Sequence, residues 1–146
     1  MNLSPHFSLA ELTKTSVRMD NTPPHDAIAN LSRLCYDVLE LVRKEFVPVT
    51  VNSGYRSPAV NAAVGGSKTS QHMTGHAADF EVRGVSNYDL ACWVRDNLKF
   101  SQLILECYKP GGDPNAGWVH CSFDPDNNRM DVKTFDGKNY LPGLVK

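Results

Sequence analysis

Residues 70–79 read SQHMTGHAAD and place two metal-binding side chains in one short segment. His72 and Asp79 are seven positions apart, and Gly75 lies between them. A tight turn at the glycine would bring the imidazole and the carboxylate onto one cation. The overlapping segment 77–82, AADFEV, alternates apolar and acidic residues as a half-buried strand does. The stretch therefore predicts a loop, a turn and a strand that carries a ligand on its outer face.

A third ligand candidate is His120, in the segment GWVHCSF. Two histidines, one aspartate and a vacant coordination position are one way in which proteins hold a catalytic zinc. We therefore hypothesise a Zn²⁺ site formed by His72, Asp79 and His120. His76 follows His72 by four residues, a helical zinc-motif spacing, but Gly75 disfavours a helix there. We expect His76 to lie in the wall of the site.

Three segments predict strands with one apolar face and one face that bears ionisable groups. They cover residues 77–82, 102–107 and 118–123. Asp79, Glu106 and His120 fall on the second face, where burial without a purpose would be costly. An antiparallel sheet with helices packed on one face and the other face open explains this alternation. The predicted fold class is therefore α+β, with the zinc site on the open face.

Capping and apolar spacing predict the remaining elements. Helices are expected at residues 8–13, 25–46 and 58–64, and after Ser86. A further strand is expected at 47–53, and a closing hairpin around the Asp136-Gly137 turn. The chain length of 146 residues fits a single domain, residues 1–146.

Composition argues against several classes of partner. Fifteen basic and sixteen acidic residues nearly balance, and no basic run is present, so we expect no nucleic-acid partner. No apolar run is long enough to span a bilayer, and the first residues lack the pattern of a signal peptide. We expect a monomer made in the cytoplasm, without membrane contact. The four cysteines are widely spaced, which predicts buried free thiols.

Hydrolysis of an amide at a zinc site also needs a proton shuttle, so a carboxylate must stand near the metal. Glu106 is the first choice for a catalytic residue because it shares the open face with the ligands, although it can also be a rim carboxylate without a role. Glu81 and Asp113 remain alternatives. Arg56, in SGYRS, can bind a substrate carboxylate or stabilise an oxyanion, or form an ordinary surface ion pair.

These motifs resemble the zinc D-alanyl-D-alanine carboxypeptidase family, which shares its fold with Hedgehog signalling domains. The family pattern SxHxxGxAxD is met at residues 70–79, its later WxH at Trp118 and His120, and its SxYR-like element at residues 53–56. The chain looks closest to single-domain phage and prophage members. The resemblance implies the ligands named above. It also implies that Arg56 and Ser70 lie near the substrate, a peptidoglycan stem peptide. We expect Trp118 to bind the substrate as well.

The leading hypothesis is a zinc metallopeptidase that cuts peptide bonds next to D-amino acids, either as a carboxypeptidase or as an endolysin-type endopeptidase. It would reach the wall after phage lysis or within a virion. One departure matters, because many family members carry the catalytic carboxylate where this chain has Gly117. The alternatives are a catalytically silent zinc-containing wall-binding or virion module, and a zinc ion that only stabilises the fold.

Overall fold

The computed structural model describes all 146 residues and contains two sheets. The first pairs β1 (Asn2–Ser4) with β2 (Phe7–Ser8). The second has six strands, β3 Val49–Ser53, β4 Ala77–Val82, β5 Gln102–Glu106, β6 Trp118–Ser122, β7 Asp131–Phe135 and β8 Tyr140–Pro142. Their order across the sheet is β3-β4-β6-β5-β7-β8. The predicted α+β class is confirmed.

One pair of strands departs from the antiparallel prediction. Four of the five neighbouring pairs in the large sheet are antiparallel, whereas β5 and β7 are parallel. Strand β6 ends beside Gln102, where β5 begins, and β7 starts beside the same residue on the other side. Because β6 and β7 meet β5 at the same end, β7 runs in the direction of β5.

Five α-helices accompany the sheets. They are α1 Leu9–Thr13, α2 His25–Leu34, α3 Glu40–Glu45, α4 Pro58–Ala63 and α5 Asn87–Asn97. Ser8, Ser57 and Ser86 cap three of them with their side-chain oxygens. The long helix expected at residues 25–46 is instead α2 and α3 joined by a π-helical segment, Cys35–Leu39. None of the helices has both the length and the apolar character needed to cross a membrane.

The hydrophobic core lies between the helices and one face of the large sheet. It contains 26 buried residues, and Ala78, Phe80 and Val82 of β4 belong to it as the alternation predicted. In the next segment, residues 102–107, two positions differ in exposure from what the alternation predicts. By its spacing Ile104 falls on the open face, but it is only 5% exposed. Cys107 falls on the core face, but it is exposed at φ 51° because β5 ends one residue earlier.

The open face of the large sheet is organised in rows that run across the strands. Residues directly opposite each other in a ladder point to the same face. One such row contains Asp79 of β4, His120 of β6, Ile104 of β5 and Lys133 of β7. We call these four residues the ligand row. Glu106 of β5 lies opposite Trp118 of β6, two residues along from the pair of Ile104 and His120. This geometry places a carboxylate beside the two ligand candidates.

Candidate metal centre and its groove

His72 is held by a short turn that the motif sequence encodes. The turn is a 3-10 helix, Gln71–Thr74, and the Oγ of Ser70 accepts a hydrogen bond from the backbone N–H of His72 at 3.2 Å. Gly75 ends the turn at φ 80°, in the left-handed region. A Cβ at that position would lie 2.4 Å from the carbonyl oxygen of Ala27. Only glycine therefore fits both the backbone angle and the space.

The tautomer of His72 follows from its hydrogen bond to the backbone. Nδ1 lies 2.7 Å from the carbonyl oxygen of Gly54. A carbonyl can only accept, so Nδ1 donates the hydrogen and Nε2 keeps its free lone pair. Nε2 lies 3.3 Å from Oδ1 of Asp79, and the imidazole is almost fully buried. A backbone carbonyl that orients the ring in this way is the usual support of a metal-ligating histidine.

The other two ligand candidates are cross-strand neighbours. Asp79 of β4 pairs in register with His120 of β6, and Nδ1 of His120 lies 2.9 Å from Oδ1 of Asp79. One ligand atom from each of His72, Asp79 and His120 lies within 4.8 Å of the others. Zinc bonds of about 2.0–2.2 Å in tetrahedral geometry separate ligand atoms by about 3.5 Å. The three side chains therefore fit a single zinc-sized ion.

The charge states of these groups also suit a cation. Burial favours the neutral form of Asp79, but His72 and His120 outweigh this effect and hold the pKa of the carboxyl well below its usual range. Burial lowers the pKa of His72, and the attraction to Asp79 only partly offsets it. An ionised carboxylate and a neutral imidazole are the forms that bind metal.

The three ligand candidates lie in a groove of about 810 Å³ on the open sheet face. The predicted substrate and catalytic residues line the same groove, namely Arg56, Ser70, Glu106 and Trp118. Glu106 is partly buried, and burial raises the pKa of its carboxyl, although His120 opposes that shift. The structure thus brings the predicted set of site residues together in one place.

Arg56 enters the groove from the segment after β3. Its backbone N–H donates to the carbonyl of His72 at 3.0 Å, which ties the arginine to the ligand turn. Its side-chain Nε is buried and makes no hydrogen bond. Burial lowers the pKa of the guanidinium, while Asp79 and Glu106 act in the opposite direction. The arginine side chain therefore carries an unpaired donor beside the ligands.

Three residues considered from sequence lie outside the groove lining. Glu81 accepts hydrogen bonds from Asn52 at 3.1 Å and from Asn87 at 3.0 Å. Asp113 accepts the backbone N–H of Asn115 at 2.9 Å within its own loop. His76 was expected in the wall of the site but lines a separate depression beside α2. The structure therefore leaves Glu106 as the carboxylate that faces the ligands.

Several residues of the groove are not predicted by the sequence patterns. The groove is also lined by Gln102, Arg129, Lys133 and Tyr140. The sequence pattern at residues 131–135 predicts only one arm of a closing hairpin, and these residues form β7. The signal for this end of the groove is the pairing of β7 with β5, which the sequence does not display.

Two histidines and an aspartate, set in an open groove with a carboxylate and an arginine, form the kind of site that mononuclear metal hydrolases use. The chain belongs to the peptidase M15 family, whose model matches residues 5–122. The expected family membership is confirmed.

A curated relative matches part of the chain. Over 64 residues the chain is 59% identical to the zinc D-Ala-D-Ala carboxypeptidase of Streptomyces albus G. The match covers 44% of this chain and 24% of the relative. The aligned part thus spans about a quarter of the relative's length.

Proposed function

We propose that the chain is a zinc metallopeptidase that hydrolyses peptide bonds next to D-amino acids in bacterial peptidoglycan. The observation that carries the proposal is the convergence of the three ligand candidates with Glu106 and Arg56 in one groove. Membership of the peptidase M15 family supports the reaction class. The name of the Streptomyces albus G relative supports zinc and a D-alanyl substrate.

His72, Asp79 and His120 would hold the zinc ion. Zinc with three protein ligands lowers the pKa of water bound to it to about 7 and polarises a carbonyl group. Glu106 takes a proton from the attacking water and returns it to the leaving amine. Its partly buried position supports this role, because a raised carboxyl pKa makes the carboxylate a stronger base toward the attacking water.

Substrate binding falls to the residues that flank the ligands. Arg56 lines the groove, and its guanidinium can pair with a substrate carboxylate or with the oxygen of the scissile carbonyl. Trp118 lies opposite Glu106 in the β5–β6 ladder and offers an aromatic surface to the peptide. Ser70 lines the groove, while its hydroxyl oxygen also caps the turn of His72. Ser70 therefore affects substrate binding mainly by fixing the position of His72, a candidate zinc ligand.

The second candidate is a silent zinc-containing module that binds the wall or belongs to a virion, and the lack of a carboxylate at Gly117 is its motive. Many members of the family that the chain resembles carry a carboxylate at this position, and here there is none. The backbone explains the difference, since a Cβ at Gly117 would lie 1.7 Å from the carbonyl oxygen of Glu106. No acidic side chain fits at that position. The strand that excludes it supplies Glu106 instead, which supports the active enzyme over the silent module.

The finer assignment remains a prediction. The groove continues on both sides of the ligands, from the loop at residues 64–71 to strands β7 and β8. This shape supports cleavage within a peptide as well as removal of a terminal D-alanine. The phage or prophage origin stays an inference from the resemblance.

The test is digestion of purified peptidoglycan by zinc-loaded protein, with products identified by mass spectrometry. Glu106→Gln should keep its zinc content and lose activity by about 10²–10⁴-fold, because the proton transfer is lost. Asp113→Asn is the matched control and should behave as the wild type. Activity that survives His120→Ala would refute the proposal. Hydrolysis that persists in Glu106→Gln would reject the role of that residue, and a wild type that binds zinc without any turnover would favour the silent module.

A further inference from the structure

The end of the groove farthest from Arg56 carries two basic side chains, Lys133 and Arg129. Lys133 belongs to the ligand row, and Ile104 alone separates it from His120 in that row. Strands lie about 4.8 Å apart, so the Cα atoms of Lys133 and His120 are about 10 Å apart. Arg56 follows β3, on the other side of the ligands in the strand order. The metal centre thus lies between two cationic positions.

Neighbouring residues position Lys133 without using all of its hydrogen-bond donors. Its Nζ lies 3.3 Å from Oδ2 of Asp131 and 5.7 Å from the centre of the Tyr140 ring. The ion pair is partly exposed, at 38% for the lysine and 30% for the aspartate, and such pairs contribute little energy. An ammonium has three donor hydrogens. Donors therefore remain for a ligand in the groove.

The balance of charge along the groove favours an anion at this end. The lining contains three basic side chains, Arg56, Arg129 and Lys133, and two acidic ones, Asp79 and Glu106. Asp79 is committed to the metal centre by its contacts with both histidines. A bound divalent cation would make the groove more positive still. Neither acidic lining residue belongs to β7 or β8.

We propose that Lys133, with Arg129 beside it, binds a second carboxylate of the substrate, about three residues from the bond that is cut. An extended peptide covers about 3.3–3.6 Å per residue, so three residues match the 10 Å estimate. The inference rests on the proposed function and adds a specificity determinant to it. In a stem peptide the group at this distance from the terminal D-Ala-D-Ala bond is the α-carboxylate of the D-glutamyl residue. Amidation of that carboxylate removes the charge that Lys133 recognises.

The test compares two synthetic stem peptides, L-Ala-γ-D-Glu-L-Lys-D-Ala-D-Ala and its D-isoglutamine form. Binding is measured by titration calorimetry on zinc-loaded Glu106→Gln protein, and mass spectrometry of the sample checks that the peptides stay intact. The free carboxylate should bind ~10-fold tighter than the amide, as expected for a charge-assisted hydrogen bond. Adding Lys133→Met should bring the ratio near one, and Lys133→Arg should restore most of it.

Two further variants make the result specific to Lys133. Lys138→Met makes the same chemical change in the hairpin turn, outside the groove lining, and should keep the ratio. Asp131→Asn removes the carboxylate that competes for Lys133, so the preference for the free-carboxylate peptide should increase. A purely structural role of the ion pair does not predict this increase. A ratio that is near one in the parent protein, or that survives Lys133→Met, would overturn the inference. The binding ratio tests the role of Lys133, and cleavage by the wild type tests the proposed function. A wild type that cuts neither peptide therefore refutes the proposed function, while the binding ratio still decides the role of Lys133.

Discussion

Gly117→Ala adds one methyl group at a point where the structure has no space for it. Gly117 has φ 73°, and a Cβ there would lie 1.7 Å from the carbonyl oxygen of Glu106 and 3.0 Å from that of Cys107. Both obstacles are backbone atoms, so no side-chain rotation relieves the overlap. The chain must move either Gly117 or the end of β5, which carries Glu106.

The cost has two parts. Placing a non-glycine residue in the left-handed region costs about 1–2 kcal/mol. Overpacking against a fixed neighbour adds about 1–3 kcal/mol. We therefore expect a loss of about 3 kcal/mol in the free energy of unfolding. For a chain of this size that corresponds to a fall in Tm of roughly 10 °C.

Gly111→Ala is the matched control. Gly111 lies in the same loop at φ 81°, but a methyl group there would meet no heavy atom within 4 Å, so only the backbone cost applies. Urea unfolding at neutral pH should separate the two variants by about 2 kcal/mol. Gly117→Ala should also lose hydrolytic activity, because its relaxation shifts Glu106. Equal unfolding free energies for the two variants would refute the steric argument and would leave room at position 117 for the carboxylate that the family resemblance leads one to expect.

Two other predictions concern Glu40, which binds Ser4 and His6 near the N-terminus, and the metal. Burial opposes the ionisation of Glu40, but hydrogen bonds from Ser4 and His6 lower its pKa below 4.5. A lowered folded-state pKa stabilises the protein above about pH 4.5, and this stabilisation is lost as the pH falls through the folded-state pKa. Glu40→Gln should therefore lower the free energy of unfolding by about 1 kcal/mol at pH 7 and by progressively less in acid, as measured by urea titrations. The control Glu45→Gln changes an exposed residue and should leave the free energy of unfolding unchanged. A loss in Glu40→Gln that does not vary with pH would contradict this prediction. Zinc at about 1,000 times its Kd should raise the Tm by roughly 10 °C. The chelated protein should still melt cooperatively when followed by near-ultraviolet circular dichroism, because the core of 26 residues does not depend on the metal. Unfolding at about 25 °C on chelation would instead mean that zinc holds the fold together.

The parts that were predictable from sequence depend on local pattern. Alternation along β4, β5 and β6 identified the open face, and the turn at Gly75 linked His72 to Asp79. Serine caps located three helix starts because the capping hydrogen bond spans only three residues. These signals need no knowledge of distant partners.

The parts that were not predictable depend on distant partners. Ile104 is only 5% exposed in a strand that is paired on both sides, and its own strand pattern cannot report those neighbours. The parallel addition of β7 decides that Lys133 joins the ligand row, and it depends on the path of residues 123–130. The π-helical segment Cys35–Leu39 inserts into an apolar repeat that reads as one helix.

The ligand row couples the metal centre to the order in which the chain folds. Asp79 and His120 are 41 residues apart, and they meet only when β4 and β6 pair in the observed register. A slip of one residue would turn Asp79 toward the core and break the donor set. Metal uptake by a refolding or nascent chain is therefore a direct signal that the centre of the sheet has closed correctly. The rate of zinc binding after dilution from denaturant would time that single event.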